Sequence, residues 1–251
     1  MYKRQPYILS IAGFDPSGGA GIVADCKTFE AINCQGLSEI TANTIQTDTK
    51  FVDCLWVDVP GIKKQIQILF ERFDISVVKI GIVENWSVMQ ELVAFLISLK
   101  AEVKIVLDPV IRASTNFEFQ KGFDADTFQR VLDGIYMITP NYDEIQSLFP
   151  AKSIEDTICL IQEKTNLFLK GGHNQSAKGK DYLYAQGGNV YPMNPKYSKV
   201  YPKHGSGCVL SSAIASNLAL GFPLLKSCFR AKRFTEKYLA SSKDLLGRFN
   251  F

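Results

Sequence analysis

Short apolar bursts alternate along this chain with stretches whose apolar residues recur every three to four positions. The bursts YILSIA (7–12), VVKIGI (77–82), VKIVLDPV (103–110), IYMITP (135–140) and NLFLKGG (166–172) have the length and bounding residues of buried strands. Between them, residues 19–33, 62–73, 86–100, 124–134, 141–149 and 153–164 carry a helical period, and Gly134 ends the fourth of these. The β-branched run SEITANTIQT (38–47) predicts an extended segment. DYLYAQGGNVYPM (181–193) predicts a hairpin turning at Gly-Gly. Two helical runs, 206–220 and 223–243, close the chain. Strand, helix and strand repeated in this way predict an α/β fold: a mostly parallel sheet with helices on both faces. No repeat, low-complexity tract or linker interrupts the pattern, so residues 1–251 read as one domain.

Composition narrows the class. Apolar residues make up 46% and charged residues 21% of the 251, which suits a globular protein with a real core. The net charge is only +3 and the Lys and Arg residues are dispersed, so neither nucleic acid nor a membrane surface is demanded as partner. Six cysteines form no C-x-x-C pair, and two histidines are too few for a His-based zinc site. Free thiols fit a reducing compartment. The apolar run before Asp15 and Pro16 is short and reads as a first strand rather than a signal peptide, so a cytoplasmic protein is expected.

Candidate chemistry gathers where strands end. In HGSGCVLSSAIASNLALG (204–221), glycines at 205 and 207 flank Ser206 before Cys208 opens a helix. Free N–H groups and the helix dipole there favour an anion; a Gly-capped loop with a buried small thiol fits equally. GFDPSGGAGIVADCKTF (13–29) spans the first strand-to-helix turn, where open α/β sheets bind ligands. Its glycines exceed what a turn needs, so backbone approach to a ligand is expected. Its spacing is neither G-x-G-x-x-G nor a Walker loop. Asp25, one turn into the helix, reads on its own as a solvated charge.

ITPNYDE (138–144) sets Asn141 and Glu144 three apart at a strand-to-helix junction. That spacing suits a capping box, and equally a loose oxygen pair for magnesium beside phosphates. LDPV (107–110) and LKGGH (169–173) place Asp108 and Lys170 at strand ends, where charges face the crevice of a parallel sheet. Four such strand ends would meet at one rim.

GFDPSGGAGIVAD (13–25), the Gln46 strand, KIGI (79–82), LDPV, TPNYDE (139–144), LKGGH and HGSGCVLSSAIA (204–215) occur in the order found in hydroxymethylpyrimidine/phosphomethylpyrimidine kinases of thiamine synthesis, and the chain resembles that family over nearly its whole length. The resemblance implies a ribokinase-like three-layer αβα sandwich, with ATP and Mg²⁺ as cofactors. The reaction it implies is phosphorylation of 4-amino-5-hydroxymethyl-2-methylpyrimidine and then of its monophosphate. By matching position, Gln46 and Asp25 would contact the pyrimidine and Gly13 would line its floor. Gly205, Ser206, Gly207 and Cys208 would form an anion hole, with Cys208 where sugar kinases carry an aspartate base. A pKa lowered by the helix N-terminus would let that thiol accept the hydroxyl proton. Asn141, Glu144 and Lys170 would serve the nucleotide, Asp108 and Glu144 the Mg²⁺ through water, and Lys232 the phosphates. Relatives are often dimers. A pyridoxal kinase and a non-catalytic pyrimidine-binding protein are the alternatives. Family members usually carry Asn-Thr before the glycine loop, where this chain has Tyr201-Pro202-Lys203, and Ser206 replaces Thr.

Overall fold

The first strand, β1 (Tyr7–Phe14), is buried along nearly its whole length, as an apolar run covered on both faces must be. The computed structural model describes residues 5–111, 124–173 and 179–250. Around β1 lie β2 (Gln35–Gln46), β3 (Phe51–Trp56), β4 (Ile75–Ile80), β5 (Lys104–Leu107), β6 (Met137–Ile138), β7 (Asn166–Leu169), β8 (Asp181–Tyr184) and β9 (Val190–Met193). Among the described residues these strands form one sheet in the order β3-β2-β1-β4-β5-β6-β7-β8-β9. The run from β2 to β7 is parallel, and β3, β8 and β9 add antiparallel edges.

Helices cover both faces. α2 (Val59–Arg72), α3 (Trp86–Leu99), α4 (Ala125–Gly134), α5 (Tyr142–Leu148) and α6 (Ile154–Lys164) bury residues such as Ile66, Leu92, Phe128 and Ile161 on one side. α1 (Gly21–Ala31), α7 (Ser206–Ala219) and α8 (Leu224–Ala240) pack Phe29, Ile214 and Ala231 on the other. This is the three-layer sandwich expected. No helix among the described residues is long and apolar enough to cross a membrane.

The strands differ from the sequence pattern in two places. FVDCLW becomes β3, an edge strand that alternates poorly because both faces are partly exposed. The apolar bursts at 103–110 and 166–172 shorten to strands of four residues each; just beyond them Asp108 and Lys170 still donate backbone N–H groups to the neighbouring Ile80 and Pro140 carbonyls, while their side chains meet each other.

Candidate active site

Helix α7 packs over β1, β4 and β5, where the chain reverses its direction of travel across the sheet. Its N-cap, Gly205, sits at φ 71°, and a Cβ there would lie 2.1 Å from the Gly19 carbonyl oxygen, so only glycine fits. No side chain caps this helix, which leaves first-turn N–H groups for a ligand or water. A Cβ on Gly207 would point into the crevice, 3.3 Å from Lys170 Nζ and 3.6 Å from Asp108 Oδ2.

Beside that first turn lies a tight charge cluster. Lys170 Nζ donates to Asp108 Oδ1 at 2.9 Å and stands 3.4 Å from Glu144 Oε2. Ser211, one turn into α7, donates to Asp108 Oδ2 at 3.2 Å. Burial works against ionisation of Asp108, but Lys170 and Lys79 hold its carboxyl below the usual range. Burial would lower the Lys170 ammonium, but Asp108 and Glu144 outweigh it and raise it. Burial likewise raises Glu144 despite Lys170. Asn141 and Glu144 make the reciprocal capping box on α5, with N–H contacts of 2.8 and 2.7 Å. The capping reading of the pair is met, and Glu144 also reaches the lysine.

Gln46 ends β2 on the other side of α7. Its amide donates to Thr44 Oγ1 at 2.9 Å, and that hydroxyl donates to the Phe14 carbonyl at 2.8 Å, which fixes the amide beside the end of β1. Gly13 lies under Ile82: a Cβ there would be 2.4 Å from the Ile82 Cδ1. The half-buried Ile82, rather than Gly13 itself, thus covers the strand end. With strands about 4.8 Å apart, Gln46 and Lys170 stand five spacings, roughly 24 Å, from each other along the rim. The start of α7 lies between them.

Several of the residues singled out from the sequence have their polar atoms or Cβ positions engaged within the protein. Asp25 is neither solvated nor open to a substrate. It is fully buried, and its two oxygens accept from Ser10 (2.6 Å), Ser212 (2.7 Å) and Lys79 (2.8 and 3.1 Å). Burial pushes the Cys208 thiol up to about 11; Lys79 works against the rise, Asp25 and Asp108 add to it, and the Gly21 N–H opposes it. Lys232 is engaged by neighbours in the protein. Its ammonium donates to the Gly179 carbonyl (2.7 Å) and Asp181 (2.8 Å) and lies 3.6 Å from Glu236, so it holds the connection into β8. The glycines after β1 serve loop packing. A Cβ on Gly19 would meet His204 at 2.6 Å, and one on Gly21 would meet the Gly13 carbonyl at 2.1 Å.

Sequence reasoning passed over Lys79, Ser211 and the contact of His204 Nε2 with Asp15 Oδ2 at 2.9 Å. A single lysine inside the apolar run VVKIGI was the available signal for the first. Asp15 is held below the ordinary carboxylate range: burial opposes this, but hydrogen bonds from His204, Ser17 and Ala20 prevail.

Comparison with known proteins supplies the family and the fold. The family model described as phosphomethylpyrimidine kinase matches residues 15–249. The chain is 35% identical to the hydroxymethylpyrimidine/phosphomethylpyrimidine kinase of Aquifex aeolicus, covering 94% of this chain and 95% of the relative. It is 32% identical to the enzyme of that name from Haemophilus influenzae, covering 90% and 88%. Among solved structures, the phosphomethylpyrimidine kinase of Clostridium difficile superposes with a TM-score of 0.73 at 29% identity, covering 94% of this chain and 98% of that one. The pyridoxal kinase of Staphylococcus aureus in complex with pyridoxal shares the fold, with a TM-score of 0.81 at 23% identity, covering 98% and 93%.

Proposed function

The chain belongs to the phosphomethylpyrimidine kinase family, and on that premise we propose that it phosphorylates 4-amino-5-hydroxymethyl-2-methylpyrimidine, and then the monophosphate, in thiamine biosynthesis. It is an ATP-dependent phosphotransferase. The hydroxymethyl oxygen attacks the γ-phosphorus, the bond to the bridging oxygen breaks, ADP leaves and the hydroxyl proton passes to solvent water.

The observation that carries this reading is the uncapped first turn of α7 facing Lys170 and Asp108 across the Gly207 gap. N–H groups at 205–208 take the oxygens of the transferring group, where fixed dipoles help most because they need not reorganise. Lys170 supplies a point charge to the nucleotide phosphates, and Asp108 aims it. Gln46 offers an acceptor and a donor to the aminopyrimidine edge. With its thiol held protonated, Cys208 shapes the pocket rather than removing a proton. A loose transition state asks little of a base.

The described residues hold no group of three or more His, Cys, Asp and Glu side chains that could cage a metal ion. Asp108 and Glu144 offer hard oxygen donors that Lys170 already shares, which suits an ion that keeps its waters. These two carboxylates would hold Mg²⁺ through water, and the ion would neutralise phosphate charge there. The chain is further proposed to be cytoplasmic, in keeping with its six free cysteines, and to form a homodimer. The exposed Val52 and Leu55 of edge strand β3 support the latter.

Gly207→Ala tests the site. Alanine suits a helix, but the methyl would fill the gap, and turnover is expected to fall at least tenfold with the fold intact; unchanged turnover would refute the site. ATP consumption with each vitamin precursor tests the substrate. Preference for pyridoxal would reassign it, and no consumption with either would leave a pyrimidine-binding protein.

A further inference from the structure

Lys203 is buried, yet among the described residues its ammonium meets no carboxylate at hydrogen-bond distance; it donates to the main-chain carbonyls of Ser242 at 2.6 Å and Asp244 at 2.5 Å, with the Asp244 charge acting from further off. Burying a charge against neutral partners is costly, and burial pulls this ammonium below its ordinary range. The cost falls two residues before the N-cap of α7. The segment that Lys203 grips runs on beside the same loop. His204 N–H donates to the Leu245 carbonyl at 3.0 Å, and Tyr201 N–H to the Leu239 carbonyl at 3.1 Å. Leu246 lies over Gly19, where a Cβ would come within 2.7 Å of its Cδ2. Phe249 then stacks on Tyr238 with ring centroids 4.9 Å apart.

We propose that residues 241–249 are a strap that positions the first turn of α7 for phosphoryl transfer, with Lys203 as the positioning residue that fastens it. The inference rests on the reading of residues 205–208 as the anion hole. The strap bonds the loop through the His204 N–H, the His204 side chain is tied to Asp15, and Gly205 next to it packs on Gly19 and Ala20, so the residue before α7 is held at both backbone and side chain. Oxyanion donors act only when held at the right place, and a small misplacement is read in turnover rather than in ground-state binding. Lys203 itself touches no reacting atom in this scheme.

The test is steady-state kinetics of the full chain at a temperature where circular dichroism shows each variant folded. Lys203→Met is expected to lower kcat about tenfold while both KM values stay within about twofold, and Lys203→Arg, which can donate to the same carbonyls, is expected to restore most of it. Should Lys203→Met not fold, Lys203→Gln and Leu246→Ala carry the test, each with a smaller loss of kcat at unchanged KM. A lowered melting temperature with wild-type kcat in the folded variant overturns the proposal, leaving Lys203 a merely structural anchor. Gly207→Ala separates the two failures. If it loses turnover while Lys203→Met keeps it, the strap is refuted alone; if it too keeps turnover, the anion hole and the strap fall together.

Discussion

Lys79 and Asp25 form an ion pair at 2.8 Å with neither side chain exposed, directly beneath the first turns of α7. β4 supplies the lysine and α1 the aspartate, while Ser10 of β1 and Ser212 of α7 complete the hydrogen bonding. Four elements are therefore tied at one buried point. With Asp108, Lys170 and Glu144, the pair makes a row of alternating charge running under α7.

Removing one partner strands the other charge in the interior. Lys79→Met is expected to destabilise by about 3–5 kcal/mol in chemical denaturation. Combining it with Asp25→Leu should recover most of that loss, because an apolar pair of similar volume suits the same space. A single variant as stable as the parent would show that water already reaches the pair.

Lys170 works on both stability and turnover. Lys170→Met should reduce kcat about 100-fold or more, since charged clamps on a transferring phosphoryl group typically carry a few kcal/mol. It also leaves Asp108 with only Lys79 to hold its acidity. In the parent, that depressed carboxyl adds stability above the unfolded carboxylate range and loses it as pH falls. Acid denaturation of Lys170→Met should therefore show a shallower pH dependence below about pH 4.

Cys208 gives the opposite expectation. With its thiol pushed up to about 11, it carries almost no thiolate at neutral pH. Cys208→Ser should retain kcat within a few-fold, and the pH–rate profile between pH 6 and 9 should keep its shape. A loss of two orders of magnitude, or a vanished ionisation in that window, would restore the thiol as base.

Glu39, on β2, is buried with no hydrogen-bond or ion-pair partner among the described residues, and burial pushes its carboxyl up to about 7. The folded state thus binds this proton more tightly than the unfolded chain. The favourable contribution is complete at acid pH and is lost as pH rises toward 7. Glu39→Gln should therefore raise stability by about 1–2 kcal/mol at pH 8, allowing for water near the carboxylate, and change little at pH 4. Urea midpoints at the two pH values check it; equal shifts at both would contradict it.

Much of the architecture was legible from periodicity, because strands covered on both faces must be apolar throughout and helices on a sheet must show a stripe. YILSIA, VVKIGI and the 206–220 run could hardly have become anything else, and the hairpin at Gly187-Gly188 follows from two positive φ angles that glycine tolerates. The family was legible too, from glycine and strand-end motifs in a fixed order. Side-chain roles were another matter. Asp25 reads as a surface charge or a substrate contact because sequence does not show that Lys79, 54 residues away, lies opposite it. The acidity of Cys208 depends on how much water the packed α7 excludes and on the carboxylates of Asp25 in α1 and Asp108 just after β5. Spacing shows neither. Lys203 gripping the carbonyls of 242 and 244 is a contact between segments some forty residues apart, decided only when the chain folds back on the loop before α7. Local pattern sets which segments become strands and helices, because burial demands it residue by residue; pairing, acidity and the orientation of each charge are set by neighbours that only the closed tertiary structure brings within a few ångströms.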